Sequence, residues 1–150
     1  MSWLLDGKCL RIAPLGYTGF VYLIVNQSSG KKYLGKKLLT AAGYKQIKKK
    51  RKKIRIESNW KDYWGSNDLL LADIKTLGKK NFKRHIIKFC KTKSECSHNE
   101  TYYIFRTGAI HKPDYYNFWV MCKIRKPHLA NLIINETELD SAIEKLGIQL

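Results

Sequence analysis

Acidic residues are scarce in this chain. Asp and Glu together number 12 of 150 residues against 29 Lys and Arg, for a formal net charge of +17. There are three prolines, and the four cysteines (Cys9, Cys90, Cys96, Cys122) form no Cys-x-x-Cys pair. No apolar run approaches the ~18 residues of a membrane span. There is no collagen-like triplet period and no internal repeat. These absences exclude a membrane-spanning chain, a collagenous repeat and a disulfide-stapled miniprotein. The start, MSWLLDGKCLRIAP, carries only a short apolar patch and an early acid. It does not read as a secretory signal, so an intracellular, cytoplasmic protein with reduced thiols is expected. Cys90, Cys96 and His98 lie close in sequence, but no second pair follows to complete a zinc site, and they read as buried or half-exposed thiols.

What is abundant is positive charge and aromatic carbon. An excess of +17 repels itself unless a polyanion screens it, which points to a nucleic-acid partner. The 44% hydrophobic content, with nine Tyr, five Phe and four Trp, supports a folded core rather than disorder. The length suits one domain, or one domain with a small appendage.

Residues 1–18 read as a lead-in ending in the turn-rich Pro14-Leu15-Gly16. Residues 19–26, GFVYLIVN, are β-branched and aromatic, which predicts a buried strand. Gln27 to Gly30 is turn chemistry, and residues 31–37 form the second strand of an antiparallel hairpin. Residues 38–59 are a basic insertion. Lys45, Lys48, Lys49, Lys50, Arg51, Lys52, Lys53 and Arg55 fall within eleven positions. As a helix this run lacks a wide apolar stripe, which disfavours a membrane surface and leaves a solvated segment that meets phosphates. Trp60, Lys61 and Ser66 belong to an aromatic tract that can brace against nucleic acid, although Trp60 and Trp64, four apart, also suit a core turn. Asn67 or Ser66 caps a helix over 68–77 with Leu69, Leu70, Ile74 and Leu77 inward and Gly78 as its stop. Residues 82–90 read as a third strand. A helix over about 95–110 starts at Thr92-x-x-Glu95 or at Ser97-x-x-Glu100, two capping-box patterns. Residues 118–124 could form a short strand. The extension 119–150 ends in a short acidic helix with Thr137 as cap and Gly147 as stop.

One ordered set of residues carries chemistry. Gly19-Phe20-Val21-Tyr22 lies on the first strand, Tyr33-Leu34-Gly35 on the second, and Lys36-Lys37 follows directly. Then come the basic run, the Trp60 to Ser66 tract, Glu100 on a helix, and Asn117. Over residues 19–118 this order resembles the GIY-YIG endonucleases, and among them the small phage-encoded members related to homing endonucleases. The resemblance implies a small α/β (α+β) domain with a central, mainly antiparallel three-stranded sheet of 19–26, 31–37 and 82–90, flanked by helices. It implies hydrolysis of DNA phosphodiester bonds to leave a 5′-phosphate. Glu100 would hold one Mg²⁺ or Mn²⁺, Tyr22 would act as general base and Tyr33 would orient the water. Lys36 and Lys37 would bind phosphate oxygens, and Asn117 would hold phosphate or site geometry.

The chemistry is consistent with that set. One carboxylate suffices for an ion that keeps most of its waters, and cations stabilise the charge that builds on phosphate. A tyrosine with an ordinary pKa near 10 is a poor base at pH 7, so the neighbouring lysines are expected to lower it. The chain departs from the family in one place. Members carry an Arg about ten residues past the second-motif Tyr, and here that position is Gly43. Lys37, then Lys36, are the expected substitutes, with Arg51 and Arg55 in reserve and His85 and His98 as secondary candidates. A non-catalytic binding module on the same scaffold and an RNA-directed nuclease are the alternatives. Whether the protein is a monomer or a homodimer is open.

Overall fold

The computed structural model describes residues 2–150. Seven strands and three helices follow in chain order: β1 Trp3–Leu5, β2 Lys8–Leu10, β3 Gly19–Asn26, β4 Lys32–Leu38, β5 Thr40–Ile47, β6 Lys50–Glu57, α1 Asp68–Leu77, β7 Phe82–Cys90, α2 Lys93–Arg106 and α3 Glu136–Glu144. The main sheet runs β2-β1-β7-β3-β4. It has five strands rather than the expected three, because the lead-in folds into a small hairpin whose β1 joins β7 in parallel at Leu4 and His85. All other pairings are antiparallel.

β3 is the central strand and its two faces build two cores. Val21 and Leu23 face α2 and α3, packing with Cys96, Tyr103, Leu139 and Ile143. Phe20, Tyr22 and Ile24 face the other way, onto Trp3, Trp60, Trp64, Leu70 and Ile74. The period-2 alternation of a strand produces this division. β3 and β7 slip register between Val21 and Tyr22, and such irregularities re-aim the adjacent side chain.

The helices start and stop where local chemistry dictates. The Asn67 side chain accepts from Leu70 N at 3.0 Å and Gly78 ends α1 with φ 82°. Only Leu70 and Ile74 of α1 are buried, whereas Leu69 and Leu77 face solvent. The reason is geometric: residues four apart share a narrow stripe, and the helix lies on one contact line. Of the two capping patterns for α2, Thr92 is used. Its Oγ1 accepts from Glu95 N at 3.1 Å, and Glu95 Oε2 accepts from Lys91 N at 2.6 Å. Glu100 therefore lies inside the helix, free of capping duty. The acidic helix α3 is capped by Asn135, not Thr137, and Gly147 lies beyond its end.

Two further expectations change. The basic run is not a helix but a two-stranded antiparallel ribbon, β5–β6, joined by Lys48-Lys49. A helix would stack like charges three and four apart, while the ribbon spreads them over two faces. Residues 118–124 form no strand. The edge of β4 that they could have extended is already taken by the preceding residues, through the Lys32–Tyr115 bridge and Tyr116 N donating to Lys32 O at 2.8 Å. Cys90 and Cys96 are buried. No helix among the described residues is long and apolar enough to cross a membrane.

Candidate active site

The hairpin β3–β4 sets Tyr22 opposite Gly35, Val21 opposite Lys36 and Phe20 opposite Lys37. The pairing explains the glycine. A Cβ at Gly35 would lie 2.4 Å from the Tyr22 hydroxyl oxygen, so only glycine lets the phenol cross β4 there. Tyr22 is 1% exposed, and its ring meets those of Tyr33 and Tyr63 at 6.1 Å each.

A cleft of about 270 Å³ opens at the edge of β4. Tyr33, Lys36, Ser66, Glu100 and Asn117 all line it. These residues come from both faces of the sheet, and they meet because β4 is an edge strand. Asn117 seals the edge at Leu34: its Oδ1 accepts from Leu34 N at 2.9 Å and its Nδ2 donates to Leu34 O at 2.8 Å. Both ends of the amide thereby hold the backbone of the strand edge. Asn67 assists from α1, donating to Tyr116 O at 2.8 Å, while Tyr116 donates to Asp73.

Among the described residues Glu100 is the one carboxylate lining the cleft. Its Oε2 takes Lys36 Nζ at 2.5 Å, and its side chain is 19% exposed. A cation therefore already sits beside this carboxylate. Among the described residues no three His, Cys, Asp or Glu side chains gather around a metal position. The donor set is a single hard oxygen ligand, which fits an ion such as Mg²⁺ that retains most of its water.

The expected lowering of the Tyr22 pKa is reversed. Burial pushes it well above the ordinary phenol value, and the neighbouring Tyr33, Tyr63 and Glu100 act in the same direction. Burial also raises Tyr33, against hydrogen bonding from Ser66 and Tyr22 that favours its ionised form. The lysines fail to offset this because neither stands against the Tyr22 hydroxyl. Lys36 is engaged by Glu100 on the opposite face from Tyr22, and Lys37, on the Tyr22 face, is spent on Asn59 Oδ1 at 2.7 Å and lies 4.0 Å over the Tyr63 ring. Burial lowers the Lys37 pKa.

The remaining predicted residues divide in the same way. Trp60 is 1% exposed, in the core between Phe20 and β1, so its ring cannot stack on a base. Lys61 is exposed and pairs with Glu57 at 3.0 Å. Lys45, Lys48, Lys49, Lys50, Arg51, Lys52, Lys53 and Arg55 stand exposed on the ribbon or its turn. Gly43, where the family's Arg is expected, lies in β5 and packs under Ile56. His85 is half-buried beside Lys83, and His98 bonds to Asn99, outside the cleft lining.

Sequence reasoning missed Tyr63 and Asn59, which hold Lys37, and took Asn67 only as a helix cap although it also donates to Tyr116 O. It also missed Arg84, buried between Trp3 and Trp64 at 4.6 and 4.2 Å and donating to Tyr63 O at 2.6 Å. Burial lowers the Arg84 pKa to about 10. Its only sequence signal was the alternation Phe82, Arg84, Ile86, which puts it on the inner face.

A tyrosine pair, a lysine and one helix carboxylate thus meet at an open strand edge. The family model described as "Putative endonuclease segE, GIY-YIG domain" matches residues 3–120. The chain belongs to this GIY-YIG endonuclease family, whose members hydrolyse phosphodiester bonds of nucleic acid. Comparison with curated proteins and with solved structures gives no significant match.

Proposed function

We propose that the protein is a divalent-metal-dependent endonuclease of DNA, carried by a phage or another mobile element, with one Mg²⁺ or Mn²⁺ at Glu100. The observation that carries this is the cleft itself: a lone carboxylate faces Tyr33 and Lys36 across an open strand edge. A metal held there supplies positive charge at the oxygen that leaves phosphorus. Lys36 releases Glu100 when substrate arrives and takes a non-bridging phosphate oxygen, and Lys37 adds positive charge from the tyrosine face of β4. Water oriented by the Tyr33 hydroxyl at the cleft wall attacks phosphorus and gives its proton up to bulk water, because burial keeps both Tyr33 and Tyr22 behind it protonated at neutral pH. The bond from phosphorus to the 3′ oxygen breaks, leaving a 5′-phosphate and a 3′-hydroxyl that takes its proton from solvent. Lys36 and Lys37 supply charge where the family has Arg, without its forked geometry.

The test is cleavage of supercoiled plasmid at low salt, with Mg²⁺ or EDTA, by the wild type and by Glu100→Gln. Nicked or linear product is expected from the wild type with metal alone, and Glu100→Gln should cut at least ~100-fold more slowly while binding DNA as well. Equal binding by both with no cutting under Mg²⁺ or Mn²⁺ would sink the proposal in favour of a binding module. Cutting of RNA in place of the plasmid would move the substrate.

A further inference from the structure

The ribbon β5–β6 presents two chemically different faces. Cross-strand partners share a face, so the register sorts its side chains. One face carries the pairs Gln46–Arg51, Tyr44–Lys53 and Ala42–Arg55. The other carries Ile47–Lys50, Lys45–Lys52, Gly43–Ile54 and Ala41–Ile56. On the first face the Arg51 guanidinium lies 4.0 Å from the Tyr44 ring centroid, which holds the planar fork in one orientation. Nearly every ribbon residue is exposed, and neither face packs on a core element. A two-stranded hairpin alone is marginal in water, so the ribbon's stability and shape must serve something outside the molecule.

Its size and root indicate what. Eight-residue strands extend about 25 Å, and two strands are narrow enough for a major groove about 12 Å wide. The root is tied to β4, with Ser58 N donating to Leu39 O at 2.9 Å and Ser58 Oγ to Leu38 O at 2.6 Å. β4 is the strand that carries Lys36. The ribbon therefore begins two residues after the strand that lines the cleft with Tyr33, Leu34 and Lys36.

We infer that the β5–β6 ribbon enters the major groove of duplex DNA, where Gln46, Arg51 and Arg55 read base edges while Lys45, Lys50 and Lys52 on the reverse face hold phosphates. The inference rests on the nucleic-acid substrate proposed above. Arg is shaped for the O6 and N7 of guanine and Gln for the N6 and N7 of adenine, whereas Lys on a phosphate reads no sequence. The ribbon would thus supply sequence preference to a nuclease whose cleft touches only the backbone.

The test uses full-length Glu100→Gln protein, so that no cutting depletes the sample. It binds a random-sequence duplex library, and enriched sequences are read for Glu100→Gln alone and with added ribbon changes. Glu100→Gln alone should enrich a motif. Gln46→Ala removes no charge, so it should erase preference at one base pair with an unchanged salt slope. Arg51→Ala with Arg55→Ala should lose roughly 5- to 100-fold on the selected site and much less on random duplex. Lys45→Ala with Lys52→Ala should weaken both alike and lower the salt slope by about two. The changed side chains are solvent-exposed, and thermal melts matching the parent confirm folding. No motif, an unchanged motif in the Gln46 and Arg variants, or single-stranded RNA outcompeting the duplex would each overturn the inference. Plasmid cleavage by the wild type is scored separately, so a dead catalyst and a ribbon that does not read bases give different results.

Discussion

At Gly35 one added carbon decides whether Tyr22 keeps its place. A Cβ there would meet the hydroxyl at 2.4 Å and the ring carbon Cζ at 2.6 Å. Gly35→Ala should therefore push Tyr22 off the tyrosine pair, cost about 1–3 kcal/mol of stability and abolish cleavage. Urea melts and the plasmid assay check the two parts. Asn117 acts at the same scale by a different means. Replacing it with Ala leaves the N–H and C=O of buried Leu34 without their partners, which should cost about 2 kcal/mol. Activity should fall with it, because the strand edge that bounds the cleft is no longer held. Asn117→Asp is the informative companion: it keeps the acceptor and loses the donor, so its melting temperature should lie between those of Asn117→Ala and wild type.

At the scale of elements the ribbon is the least conventional part. Its two-residue turn has Lys48 at φ 48° and Lys49 at φ 61°, where hairpins favour Asn-Gly. Side chains with a Cβ are strained there by about 1 kcal/mol each. Replacing Lys48-Lys49 with Asn-Gly should slow amide hydrogen exchange across β5 and β6 by roughly fivefold or more. The rest of the molecule should be unaffected, because the ribbon touches no core element beyond its root. Retention of the lysines despite that strain fits a tip whose charge is needed at phosphate. α2 shows the contrast: its cap at Thr92 relieves Glu100 of a structural task, and the carboxylate is left to face Lys36.

At the scale of the whole molecule, phenols inside a basic shell set the alkaline limit. Tyr22, Tyr33, Tyr103, Tyr115 and Tyr116 all have pKa values raised, burial being the largest cause in each case. A phenol raised in the fold ionises first in the unfolded chain. Its contribution is fully present below the unfolded value near 10 and is lost as pH rises through the folded value. Stability should thus be level toward neutral pH on this account and fall above pH 10. Tyr22→Phe should make that alkaline decline shallower, as denaturant melts between pH 8 and 11 would show. The excess of Lys and Arg over acids adds self-repulsion that salt relieves, so the same melts at higher salt should shift upward together.

Much of this was legible in the chain itself. β3 at 19–26, β7 at 82–90 and α1 at 68–77 occupy the residues their patterns predict. The reason is that alternation, caps and glycine stops act within a few residues. The family resemblance was also legible, since motif order needs no coordinates. Other features depended on partners far away in the chain. β1 joins β7 across some eighty residues, which turned a lead-in into part of the sheet. Tyr22 looked like a base near lysines, yet burial against Tyr33 and Tyr63 raised its pKa instead. Lys36 and Lys37 are adjacent in sequence but point to opposite faces, one to Glu100 and one to Tyr63. Composition and local pattern determined which elements form and what polyanion they meet. Only tertiary structure decided which side chains share the cleft, because a strand gives each residue a face and the distant pairing decides what that face meets.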